Sequence, residues 1–341
     1  MANVIYNDIV LGNKFESILM TKLDLAQFLT TDDSLTQESG MTKKIVTKSA
    51  RGQVDKVAMG EGNTHFIECT TDSRDYTVGT TQGQAKYHDE EAMSDAHCVD
   101  ACLEGLAEEM VNDFTRDAVA EFEKASLQVG YAASAGYGFD EVVDAIALMN
   151  MEAEEGLFGL ICPKDKAKFR KKFKDDLKYV EAFIRTGYIG SVCGVPFYIS
   201  KAIPEGECFI GTREAITNFV KKGSEVEQKR DPDTRTNYVI ARKVNVIALT
   251  DARKLVKIGA NQATDATITT YTKNAKTVAG AATTGATVEV YINGKLDGTC
   301  EASSSAYSYT AKENLAAGDE VKVVAHLTGC IDSSAEVEVA A

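Results

Sequence analysis

His97, Cys98 and Cys102 place an imidazole and two thiols within one stretch of helical periodicity, and on a helix the two cysteines share a face at i and i+4. Zinc accepts such a pair when two further ligands arrive from elsewhere. Both thiols also fall on or beside the apolar stripe of the same stretch, and as small hydrophobes they are expected in the core. The run Arg230-Asp-Pro-Asp-Thr-Arg235 spaces its carboxylates as a calcium loop does, but it lacks the glycine at the sixth position and the glutamate at the twelfth. A charged loop at a contact between copies is its expected role. The histidines, at 65, 88, 97 and 326, are too dispersed for a triad, and no Gly-x-x-x-x-Gly-Lys phosphate loop occurs. No catalytic, cofactor or metal site is expected.

One basic cluster stands out: Lys164, Lys166, Lys168, Arg170, Lys171, Lys172, Lys174 and Lys178, all following Pro163. No aromatic platform is interleaved with it, since Phe169 and Phe173 belong to an apolar stripe. A solvated face, or a partner for an acidic neighbour, is expected rather than a nucleic-acid groove. The net charge of −14 points the same way. Hydrophobic residues make up 44% and charged residues 26% of the chain, enough to bury a sizeable core. At 341 residues the chain is long enough for two or three domains. No apolar run approaches the ~20 residues that cross a bilayer, and Met-Ala-Asn-Val-Ile-Tyr is not a secretory leader. The expected site of synthesis and assembly is the cytoplasm, with no membrane partner. The eight cysteines are scattered through apolar runs and are expected reduced.

The elements that carry these residues begin with a short helix over 13–29, where Phe15, Ile18, Leu19, Leu23, Leu25 and Phe28 recur at helical spacing. A polar linker over 30–40 follows. Strand-like stretches at 42–46, 65–71 and 76–81 lie in Thr-, Gly- and charge-rich sequence too polar for a core of its own, and read as a long projecting hairpin. The longest periodic element runs from about Tyr87 to Ser126, with Met93, Ala96, Val99, Cys102, Leu103, Leu106, Met110, Phe114, Ala118 and Phe122 on one face. One unbroken helix of that length would be a rod of ~60 Å. A helix is expected at 139–155, with Val142, Val143, Ile146 and Met149 on one side. A buried strand is expected at 157–162, and after it a helix with Phe169, Phe173, Leu177, Val180 and Ile184.

Between 186 and 258 come two short strands about Gly194 and Pro196, an amphipathic helix over Cys208-Phe-Ile-Gly-Thr-Arg-Glu-Ala-Ile-Thr-Asn-Phe-Val220, an acidic-to-basic loop and two returning strands ending at Ile258. With the preceding arm, loop and long helix, this order resembles the Hong Kong 97 phage-type major capsid proteins of tailed bacteriophages, over roughly residues 1–258. The resemblance implies an α+β capsid fold with an N-terminal arm (1–38), an extended loop hairpin (39–86), a spine helix and P-domain (87–136), an A-domain (137–235) and P-domain return strands (236–260).

It further implies a non-enzymatic coat subunit of the virion, assembling as hexamers and pentamers around double-stranded DNA without sequence-specific contact. A portal and, because the chain begins almost at the arm, a separate scaffolding protein are its implied partners. Lys43, Arg51, Lys56, Glu61, Arg74, Asp75, Arg230 and Asp231 are the expected inter-subunit contacts. Some members cross-link loop lysines; Lys43, Lys44, Lys48 and Lys56 are available here, but no acceptor motif accompanies them. An encapsulin-type compartment shell, a tail or fibre adhesin, and a hydrolase built on His97, Cys98 and Cys102 are the alternatives.

Beyond Arg253 arginine disappears, and residues 265–341 carry ten acidic residues against five lysines. Alternating strands at 287–292, 306–310, 320–327 and 335–339, with turn signals at Asn293-Gly294 and Gly318-Asp319, predict an all-β sandwich. The segment resembles bacterial immunoglobulin-like modules, although without Trp it has no Cys-Trp-Cys core. That likeness implies a solvated module decorating an outer surface, with loose contact to cell-surface glycans.

Overall fold

The computed structural model describes residues 25–37, 40–51, 54–57, 59, 62, 64–95, 97–134, 136–151, 155–172, 191–269, 271 and 274–340. In chain order, strands β1 (Thr30–Asp32), β2 (Thr42–Arg51), β3 (Glu68–Thr77) and β4 (Gly79–His88) precede helices α1 (Asp89–Ser94) and α2 (Cys98–Glu123). Then come β5 (Leu127–Tyr131), α3 (Phe139–Met149), β6 (Leu157–Ile161), α4 (Pro163–Lys172), β7 (Ser191–Val192), β8 (Val195–Ile199), β9 (Cys208–Thr212), β10 (Ile216–Asp231), β11 (Thr236–Leu249) and β12 (Leu255–Ala260). The terminal strands are β13 (Thr277–Ala281), β14 (Thr287–Ile292), β15 (Lys295–Glu301), β16 (Ala306–Thr310), β17 (Glu320–His326) and β18 (Ser333–Glu338). The chain forms two compact units, residues 1–124 with 213–252, and residues 125–212 with 253–341. The range 137–235 thus contributes to both. No helix among the described residues is long and apolar enough to cross a membrane.

In the first unit a sheet of order β1-β10-β11-β4 carries α2 on one face. Val99, Leu103, Leu106, Met110 and Val111 of the helix pack on Tyr87, Val226, Val239 and Ala241 of the sheet. Gly83 of β4 permits the close approach, because a Cβ there would lie 2.4 Å from Leu106 Cδ1. Several sequence expectations fail here. The single helix over 87–126 is broken: Tyr87 and His88 belong to β4, paired with Asn237 and Thr236, and Met93 is exposed. Asp95 is extended and its carboxylate accepts the His97 N–H at 2.9 Å, a local bond that competes with helix continuation. The 26 residues of α2 therefore span about 39 Å.

The helix expected over 208–220 is replaced by β9, a turn at Arg213–Ala215 and β10. Its apolar run is short enough to suit either state. Pairing decides it, since β9 lies between β12 and β6 with all five of its residues buried, and Thr217, Asn218 and Phe219 pair with β1. The expected loop at 221–235 is the distal part of the β10–β11 ribbon, and the expected polar linker contains β1. The hairpin's strands are β2 and β3, with pairing from Thr42↔Thr77 to Arg51↔Glu68. Val78, a core residue, separates β3 from β4, so the strand expected at 76–81 is divided. Residues 13–24 of the expected first helix lie outside the described residues; Leu25–Phe28 form a 3-10 turn with Leu25 and Phe28 buried.

In the second unit the sheet order is β5-β12-β9-β6-β8-β7. Val142, Ala145 and Met149 of α3 and Phe169 of α4 join the core cluster around Ile210, Val256 and Ile258. The helix α3 ends at Asn150, in the left-handed conformation, rather than at 155, and Val143 faces outward. Phe173, Leu177, Val180 and Ile184 of the next expected stripe lie outside the described residues.

The terminal segment forms sheets β13-β16 and β15-β14-β17-β18 about Val278, Val288, Val290, Tyr307, Val321 and Val323. The strand β13 is not among the expected ones, and β15 is the strand that returns from the Asn293-Gly294 turn, pairing Lys295 with Ile292. The segment is seated on the rest of its unit through residues 326–332. The Asp332 carboxylate accepts from Gln128 Nε2 at 2.6 Å, and the Asp332 N–H donates to Gln128 Oε1 at 2.6 Å. His326 meets Asp332 at 2.8 Å and Glu289 at 3.5 Å.

The Asp332 hydrogen bond holds the His326 pKa above its usual 6.5. A raised histidine stabilises fully below about 6.5, and its contribution fades as pH rises through the folded value. Hydrogen exchange at residues 326–332, corrected for intrinsic rate, is expected to be faster at pH 9 than at pH 6, and His326→Gln should remove that difference.

Candidate assembly surfaces

The hairpin β2–β3 is anchored at its root. Ile45 and Tyr76 pack on a cluster of Leu35, Val78, Phe219 and Ala248, and the Tyr76 hydroxyl donates to Glu121 at 3.4 Å. Beyond the root the exposed apolar side chains include Val46, Val54, Val57, Met59, Phe66 and Ile67. Val54 is 85% and Phe66 77% exposed, and Met59 is fully so. A two-stranded ribbon cannot bury both of its faces alone. The exposed apolar side chains at its end make it a candidate contact surface for another protein.

Asp55 orders this end. Its carboxylate accepts the N–H groups of Thr64 (2.6 Å) and His65 (2.8 Å), and meets His65 Nδ1 at 2.6 Å. These bonds, the His65 N–H foremost, hold its pKa down at about 2. A depressed carboxylate contributes above its ordinary value of 3.8 and loses the contribution as pH falls toward 2, so the staple persists at neutral pH. In Asp55→Asn the Thr64 and His65 amides are expected to exchange about tenfold faster at pH 7, checked by hydrogen exchange.

The described members of the expected contact set are spread over the hairpin and the β10–β11 ribbon. Lys43 lies at the hairpin root, its Nζ 5.1 Å from the Phe219 ring centroid and 3.4 Å from Ser34 Oγ. Arg74 and Asp75 are exposed on β3 opposite Ile45 and Lys44, and Lys56 is exposed near the tip. Only the backbone of Arg51 is described, and Glu61 lies outside the described residues. Arg230 meets Asp89 at 2.6 Å within the chain. Asp231 caps its own turn, accepting from Thr234 Oγ1 at 2.9 Å and the Asp233 N–H at 3.1 Å; the Thr234 bond leads the lowering of its pKa. The sequence signal for the tip lay in apolar residues scattered without period through a polar stretch.

Cys98 and Cys102 are half-buried against the α2–sheet core. Burial raises the Cys102 pKa, which opposes thiolate chemistry. Among the described residues no group of three or more His, Cys, Asp or Glu side chains could hold a metal. Of the basic cluster, Lys164 and Lys168 meet Glu205 at 2.9 and 2.8 Å, and Lys168 also meets buried Asp165 at 2.9 Å. Lys168, then Lys164, holds the Glu205 pKa down at about 2. Lys174 and Lys178 lie outside the described residues.

No protein-family model and no curated protein matches the chain. Solved structures do. A structure from Mycobacterium phage Che8 aligns with TM-score 0.56 at 15% identity, covering 69% of this chain and 90% of that one. The capsid of a native GTA particle aligns with TM-score 0.57 at 12% identity, covering 76% and 92%. A virus-like particle from Pyrococcus furiosus aligns with TM-score 0.52 at 11% identity, covering 74% and 100%. The fold is that of Hong Kong 97 phage-type capsid proteins.

Proposed function

We propose that the chain is a shell-forming coat subunit, without enzymatic activity, of a phage head that encloses double-stranded DNA. The hairpin carries this reading: within a capsid-protein fold, it is an extended element whose end exposes Val54, Met59 and Phe66. In this assignment the hairpin and the arm lie across neighbouring copies, the 137–235 region lies nearest the axis of hexamers and pentamers, and 236–260 returns to the P-domain. Many modest, repeated interfaces then stabilise the shell by multivalency. A separate scaffolding protein and a portal complete the head, which assembles in the host cytoplasm. The terminal segment, read as an immunoglobulin-like sandwich, faces outward with glycans as its candidate ligands.

Deleting 47–72 and joining Val46 to Ser73 through Asn-Gly tests the reading. The cut follows the register Val46↔Ser73 and spares Tyr76, Val78 and β4, which belong to the body. The expected result is a folded subunit, with near-native circular dichroism and melting, that forms no shells by negative-stain microscopy. Intact shells from this variant would sink the assignment. An encapsulin-type shell is the second reading, favoured by complete coverage of the Pyrococcus particle's chain. Nuclease-protected DNA inside purified shells separates the two.

A further inference from the structure

Helix α4 has two basic flanks that the fold treats differently. Along one, Lys164, Lys168 and Lys172 recur every four residues; the first two meet Glu205, and the third donates to the Gly136 carbonyl oxygen at 3.1 Å. Along the other, Lys166 and Arg170 stand one turn apart with Lys171 beside them, and no ionic partner among the described residues accompanies any of the three. Arg170 and Lys171 are exposed. Like charges one turn apart on a helix repel. One flank is therefore neutralised within the chain, and the other keeps its repulsion.

The charge that would relieve the bare flank is present on α2, which holds eight acidic residues and the single base Arg116. Glu104, Glu109 and Asp117 are exposed along it. Two copies of a chain at net −14 repel over most of their surface, so an encounter is favourable where a basic patch of one meets an acidic patch of the other. Building on the shell reading, we infer that the outward face of α4, carrying Lys166, Arg170 and Lys171, docks on the acidic face of α2 of a second copy. The two surfaces differ, so the contact is heterologous. Each copy offers α4 to one neighbour and α2 to another, which closes a ring where the rotation permits.

Charge reversal tests the pairing. Lys166→Glu with Arg170→Glu is expected to lower the assembled fraction at least about tenfold at low salt, read by sedimentation and negative-stain microscopy. Adding Glu104→Lys and Glu109→Lys to that variant should restore assembly to within about threefold of the unmodified chain. All are surface changes, and circular dichroism confirms that each variant folds. A reversed α4 that assembles as well as the unmodified chain overturns the inference, as does a folded fourfold variant that fails to recover. Normal shells that have lost bound nucleic acid also overturn it, in favour of a polyanion on α4. An unmodified chain that never assembles overturns the shell reading first, and this inference with it.

Discussion

Lys257→Met is expected to destabilise the second unit by about 3–5 kcal/mol, the cost of leaving one charge of a buried pair without its partner. Lys257 Nζ lies 3.1 Å from Glu207 Oε1, and the two residues are only 4% and 0% exposed. Glu207 Oε1 also accepts the Gly329 N–H at 2.7 Å, while Oε2 is buried with no hydrogen-bond partner. Removing the ammonium leaves a fully buried carboxylate without its charge partner. Replacing both, with Lys257→Met and Glu207→Gln, removes both charges and keeps an oxygen for Gly329. The double variant should recover at least about 2 kcal/mol of the loss, because a buried ion pair contributes little net stability over neutral groups of similar size. Thermal or urea unfolding checks both. A double variant no more stable than the single one would show that the two charges are not coupled.

Truncation after residue 264 is expected to destabilise what remains by at least about 5 kcal/mol, taking about 1 kcal/mol for each of five of the hydrogen bonds lost with the segment. The bonds are Gly329 to Glu207, the reciprocal pair between Gln128 and Asp332, and the backbone bonds Ala260 N–H to Gly329 O and Ile331 N–H to Ala260 O. Gly259 shows how closely the segment is seated, since a Cβ there would lie 2.9 Å from both the Cys330 carbonyl carbon and the Ile331 nitrogen. Removing the segment also opens the Lys257–Glu207 pair to water on one side. The melting temperature of the remainder should fall by roughly 10 °C or more, at about 2–4 °C per kcal/mol for a body of this size. A remainder melting within about 2 °C of the full chain would instead mark the segment as an independent appendage, as its composition suggested.

Periodicity determined the elements whose neighbours add nothing to their local signal. The α2 stripe from Val99 to Phe122 is legible because each turn of one helix carries its own apolar residue, and the strand at 157–161 because an apolar run ended by Pro163 has few other readings. The order of arm, hairpin, long helix and returning strands was enough to suggest the capsid fold. Elements defined by pairing were not legible in this way. Cys208–Val220 has an apolar run compatible with helix or strand, and only β1, β6 and β12 alongside it decide the matter. The break at Asp95 depends on β4 running on through His88 against β11, a contact across about 150 residues of chain that no local window contains. The assembly surfaces divide likewise. Charge and apolar content could be read residue by residue, but which groups are already satisfied could not: Arg230 is held by Asp89, Lys164 and Lys168 by Glu205, and Lys257 by Glu207. Sequence lists the hydrophobic and charged groups a chain must accommodate; tertiary structure decides which are buried or paired within it and which, at the hairpin tip and the outer flank of α4, stay exposed, because burial and pairing depend on distances between residues far apart in the chain.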